Sequence, residues 1–159
     1  MTDATAEPEV RITLTEDEAA AVVDLASSYA RAVPPGREGP YLALVEAAGT
    51  GTLSGDHVGT LEQVCTLALE TGQARRIGLA EAETLLANVY RRTPLGKARL
   101  AEVKQINEAL GQLRGKTLSA ARIASNRPGR YTVTLGVDGF DLTVAIDANG
   151  IEVSSLTTN

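Results

Sequence analysis

Tryptophan is absent from this chain, and phenylalanine, cysteine, histidine and methionine each occur once. A single cysteine and a single histidine exclude an internal disulfide and every Cys/His zinc cage. Aromatic residues make up 3% of the sequence, which thins the supply of interface anchors and of base-stacking surfaces. Long apolar runs are missing as well. Stretches such as Ala19–Val23 and Tyr41–Val45 stop at five residues, against the roughly 18 a membrane span requires. Met1–Glu9 has neither a basic n-region nor an apolar h-region, so it reads as a disordered acidic tail (1–9) and not as a secretory signal. The expected setting is the cytoplasm, with no membrane partner.

What is present is the composition of an ordinary globular protein: 159 residues, 43% hydrophobic and 22% charged. Fifteen basic and twenty acidic groups leave a net charge of −5. That total conceals three blocks. Residues 1–70 carry twelve acidic and three basic groups, residues 71–130 four and twelve, and residues 131–159 four acidic and no basic ones. Such asymmetry points either to a partner or to segments that neutralise one another on folding.

Periodicity divides the chain at about Gly115. Before it, Val10–Leu14 alternates like a short strand, and Thr15 with Glu18 three positions later forms a capping-box signature for a first helix. Val22, Leu25, Ala26, Tyr29 and Val33 give that helix one apolar face, and Pro34-Pro35-Gly36 stops it. Further helices are expected over Glu38–Ala48, from Ser54 or Asp56 to Gly72, over Ala80–Arg92, and from Thr93-Pro94 to about Arg114. In the last of these, Val103, Ile106, Leu110 and Leu113 form an inward seam. After Gly115 the period becomes two. Leu118–Ala124, Tyr131–Val137, Phe140–Ile146 and Ile151 onward alternate around the turns Asn126–Gly129, Asp138-Gly139 and Asn149-Gly150. The expected fold is therefore α+β in one domain over 10–159: about five helices over 10–114, then an antiparallel meander of three to four strands over 117–159. The strand at 10–14 is a candidate to join that sheet.

No catalytic constellation emerges. His57 and Cys65 lie eight residues apart, so on one helix they sit about 80° and roughly 12 Å apart and cannot form a dyad. Gly49–Thr60 is glycine-rich but follows a helix and lacks a phosphate-loop ending, so it reads as a connector. Asp147-Ala148-Asn149-Gly150 with Glu152 is too short for a calcium loop and reads as a hairpin turn. No metal, cofactor or catalytic residue is assigned.

The candidate binding residues are basic. Arg91 and Arg92 close the fourth helix, and Lys97 and Arg99 follow the start of the fifth, where backbone N–H groups favour an anion. Arg122, Arg127 and Arg130 bracket the first hairpin of the sheet. The last strand, 151–156, contains no proline or lysine to blunt its edge, which suits pairing with a second chain. These features favour a non-catalytic contact protein: an accessory subunit, adaptor or oligomerising scaffold. A nucleic-acid-binding or regulatory protein using the basic segment 71–130 is the alternative. A small-ligand protein or enzyme with a site outside known motifs is the second.

Overall fold

A computed structural model describes residues 10–76, 81–148 and 150–158. Within them, five α-helices and a two-stranded ladder precede a four-stranded antiparallel sheet, so the fold is α+β. The acidic tail expected over 1–9 lies outside the described residues, as does the expected helix start at Ala80. The single domain expected over 10–159 packs as two compact units, and their boundary falls between Lys97 and Ala98, inside the fifth helix.

The first unit is helical. Its elements are β1 (Arg11–Thr13), α1 (Glu16–Ala32), α2 (Gly39–Gly49), β2 (Thr52–Ser54), α3 (Gly55–Glu70), a 3-10 turn (Gln73–Arg76), α4 (Ala82–Arg92) and the first turn of α5 (Pro94–Gly111). Apolar residues three and four apart on α1, α3 and α4 meet in one core, with Val22, Leu25, Leu61, Val64, Leu86 and Val89 almost wholly buried. Tyr29 stacks on Tyr41 at its margin, ring centroids 6.0 Å apart. The glycine-rich stretch after α2 is more than a connector. Gly51 adopts φ +77°, a region an L side chain resists, and the chain turns there into β2. Leu53 is then buried opposite Ile12 in an antiparallel pair with β1.

Glu18 joins three of these elements. The Thr15 side chain accepts from the Glu18 N–H, and the Glu18 carboxylate accepts from the Thr15 N–H at 2.9 Å, so both halves of the capping box are made. The same carboxylate oxygen lies 2.6 Å from Arg92 Nη2 at the end of α4. Arg92 also donates through Nη1 to the Thr13 carbonyl of β1 at 2.6 Å and through Nε to the Asn88 carbonyl at 3.3 Å. Burial pushes the Glu18 carboxyl up, but the Thr15 amide and Arg92 outweigh it and hold the group below its ordinary value.

The corner between α4 and α5 is tight. Thr93 is fully buried; its hydroxyl donates to the Tyr90 carbonyl at 2.8 Å and accepts from the Gly96 N–H at 3.1 Å. It thus terminates one helix and caps the next, and Pro94 opens α5 without wasting a donor. Gly96 passes so close to α4 that a Cβ there would overlap the Tyr90 carbonyl.

The second unit is the rest of α5 and a meander of β3 (Leu118–Arg127), β4 (Arg130–Val137), β5 (Phe140–Asp147) and β6 (Gly150–Thr158), in that spatial order. The strand at 10–14 does not join it. Only three of those residues are extended, and their backbone groups are taken up by β2 within the first unit. Along α5, Ile106 is buried against Leu142 and Val144, with Ala109, Leu113 and Ile151 beside it. The expected inward seam is corrected here: Val103 and Leu110 are 46% and 37% exposed. Both lie about 40–60° round the helix on one side of Ile106, whereas Ala109 and Leu113 lie on the other side, which is the one turned to the sheet.

Two outcomes follow for the first unit. Gly96→Ala should lower stability by about 3 kcal/mol, whereas Gly59→Ala, at an exposed helical site with open space around it, should be neutral or slightly stabilising; equal thermal midpoints for the two variants would contradict this. For Glu18, a depressed folded-state value means its contribution is complete above the ordinary carboxylate range and is lost as pH falls through the folded value. Glu18→Gln should therefore destabilise the protein at pH 7 and shrink the loss of thermal stability between pH 7 and pH 3. An unchanged pH dependence in the variant would refute the assignment.

Candidate interaction surface

The seven basic residues expected to hold an anion or partner do not form one patch. Arg92 is engaged by Glu18 and Thr13. Arg91 is exposed, with Nη1 3.5 Å from Asn88 Oδ1, and Lys97 is exposed near the start of α5. The N–H groups at that helix start meet an internal anion: Glu62 Oε1, from α3, accepts from the Leu95 N–H at 2.7 Å. A carboxylate there satisfies a donor the helix leaves open and complements its dipole.

Three of the seven do converge, in the second unit. The β3–β4 and β5–β6 turns lie at the same end of the meander, so Arg127 and Arg130 face Asp147 at 3.9 and 3.7 Å. Arg130 also lies 3.5 Å from Glu152, and Arg99 of α5 lies 3.5 Å from Glu102. Gly150 makes room for this group, because a Cβ on it would overlap both Arg99 and Glu102. Glu102, Gln105, Arg127, Arg130, Asp147 and Glu152 border a cleft of about 480 Å³. Its two arginines face three carboxylates, one of which, Glu102, is also paired with Arg99, and the spacings are long for ion pairs, so the cleft is polar without a dominant sign. Arg122 stands apart, exposed in the middle of β3.

Folding therefore redistributes the charge blocks. Residues 1–97 carry fourteen acidic and eight basic groups, and residues 98–159 carry six and seven. The first unit is acidic at −6 and the second near neutral at +1.

The larger feature, which no charge pattern signalled, is the apolar face of the sheet. In register, Ile123, Val133, Val144 and Val153 form one row across the four strands. Ile123 on β3 is 68% exposed, Val144 on β5 is 5% exposed and Val153 on β6 is 38% exposed. The neighbouring row behaves alike: Leu142 on β5 is fully buried while Leu156 on β6 is 61% exposed. Leu118 on β3 and Tyr131 on β4 are also exposed. Four strands spaced about 4.8 Å apart span more width than one helix about 10 Å across can roof over. α5 seals the middle and leaves both margins open. The sequence does not mark this feature, because nothing in it says which of the five expected helices covers the strands.

Among the described residues neither outer edge of this sheet is paired, no group of three His, Cys, Asp or Glu side chains is placed to hold a metal, and no helix is long and apolar enough to cross a membrane. Cys65 is buried in the helical core, where desolvation pushes its thiol up to about 12. His57 is half-exposed at the start of α3. No family model, curated protein or solved structure matches the chain.

A thiol so placed should be inert while the fold is intact. The native protein should resist thiol-directed reagents at pH 8 and take up one equivalent when denatured. Labelling of the native protein at the rate of an exposed thiol would contradict the burial.

Proposed function

We propose that this is a non-catalytic contact protein, a self-associating scaffold or accessory subunit of the cytoplasm, in which the sheet unit supplies the contact surface. The observation that carries the reading is the exposure gradient across the sheet, from 68% at Ile123 to 5% at Val144 on the same row. Aliphatic side chains left open beside an unpaired strand edge are stabilised by another chain that covers them. Two edges are available, β3 and β6, the second containing the expected edge strand 151–156. Charge supports self-association through this unit: its net +1 gives two copies little to repel, whereas the −6 of the first unit would oppose contact.

The same arrangement weighs against a polyanion-binding role for segment 71–130. Arg92, Arg99, Arg127 and Arg130 each lie within 4 Å of a carboxylate, so a phosphate backbone would have to displace acidic partners to reach them.

Sedimentation of the full chain from 1 to about 200 µM, spanning the affinities of weak to moderate complexes, tests the reading. Mass should rise with concentration, and the double variant Ile123→Thr/Leu156→Thr should stay monomeric with an unchanged circular dichroism spectrum. A native chain that remains monomeric throughout would overturn self-association.

A further inference from the structure

Resting on that reading, we infer that the second copy docks along β3, antiparallel about a two-fold axis through Ile123, so that two four-stranded sheets become one. The outward-facing backbone groups follow from the hairpins. Asp138-Gly139 is a two-residue turn, so its closing pair, Val137 and Phe140, must be the hydrogen-bonded kind. Hydrogen-bonded and non-hydrogen-bonded pairs alternate along an antiparallel ladder. Odd-numbered residues of β4 therefore bond to β5. Its even-numbered residues bond to β3, where their partners are Ala120, Arg122 and Ala124. The amides and carbonyls of Ala121, Ile123 and Ser125 are left pointing away from the sheet.

These residues lie on an uninterrupted stretch, since the register of β3 with β4 runs evenly from Ala120 to Ser125 and shifts only beyond it. β6 is interrupted near its middle, where pairing passes from Val153 to Ser155 against adjacent residues of β5. A bulge there twists the edge away from a flat partner, a device that protects exposed strands.

Charge excludes one register, and the exposed Ile123 side chain favours another. A two-fold through Arg122 would set two arginines directly opposite each other, an arrangement that destabilises cross-strand pairs. A two-fold through Ile123 pairs Ile123 with its counterpart, Ala121 with Ser125 of the second copy, and Arg122 with Ala124. The two Ile123 side chains then meet on the face that carries α5, where each is largely exposed in the single chain. Pairing β3 with itself also closes the assembly at two copies, whereas pairing β3 with β6 would continue into an open chain.

Two substitutions in the full-length protein test this geometry. Ile123→Cys places two thiols across a hydrogen-bonded pair, with Cα atoms about 5.5 Å apart, inside the range a disulfide spans. Mild oxidation should convert it to a covalent dimer, with Cys65 too buried to compete, and Val153→Cys should stay uncross-linked. Ala121→Pro removes an outward N–H and leaves the bonds to β4 intact; it should weaken dimerisation at least tenfold while the circular dichroism spectrum and thermal midpoint hold. If the native chain self-associates but Val153→Cys cross-links in place of Ile123→Cys, or Ala121→Pro folds and dimerises normally, the β3 geometry is overturned and the contact reading stands. If the native chain is monomeric throughout, the contact reading itself fails.

Discussion

Glu18 is the point at which the helical unit is tied together. Its carboxylate completes the cap of α1, and it anchors Arg92 at the far end of α4, which in turn reaches the Thr13 carbonyl of β1. A carboxylate that is 7% exposed is expensive to bury alone. It is tolerated here because the Thr15 N–H at the start of α1 and the Arg92 guanidinium at the end of α4 both face it. Position and charge are mutually dependent: α4 must end beside the start of α1 for Arg92 to serve, and Arg92 must serve for Glu18 to be buried there. The tight corner at Thr93 and Gly96 follows within the same few residues, so the end of α4 is held by polar contacts from both directions.

A different constraint governs the sheet unit. Its interior is small, with Ile106, Leu142 and Val144 at the centre, because a single helix has to serve four strands. The burial this supplies is concentrated on β5 and fades toward β3 and β6. A unit of this design keeps apolar surface in water unless something covers it, and that connects its architecture to the contact role proposed for it. The charged cleft at the turn end is held by loosely spaced ion pairs and contributes more to the shape of that end than to its stability.

Much of the fold was legible in the chain. The capping box at Thr15 and Glu18, the stop at Pro34-Pro35-Gly36, the double role of Thr93-Pro94 and the two-residue hairpin at Asp138-Gly139 are local, and local chemistry decides them. β2 was not legible, because three residues after a glycine-rich turn carry no periodicity, and only Leu53 meeting Ile12 makes them a strand. The inward placement expected of Val103 and Leu110 fails for a related reason. Spacing of three and four describes a stripe, but the width of the buried stripe depends on what lies opposite. The candidate site was the least legible part. Seven basic residues stand out by number, yet four of them lie beside carboxylates, and of those carboxylates all but Glu102 belong to another element than the arginine they face. The exposed aliphatics of β3 and β6 carry no comparable mark in the sequence.

By itself, then, the sequence determined the order and kind of most elements and the positions of their caps and turns, because each depends on residues within a few positions of one another. Tertiary structure decided which charges neutralise which, which apolar residues stay in water and where the two units divide. Those outcomes rest on distances between residues far apart in the chain: Glu18 to Arg92, Glu62 to Leu95, and α5 to the breadth of the sheet it covers.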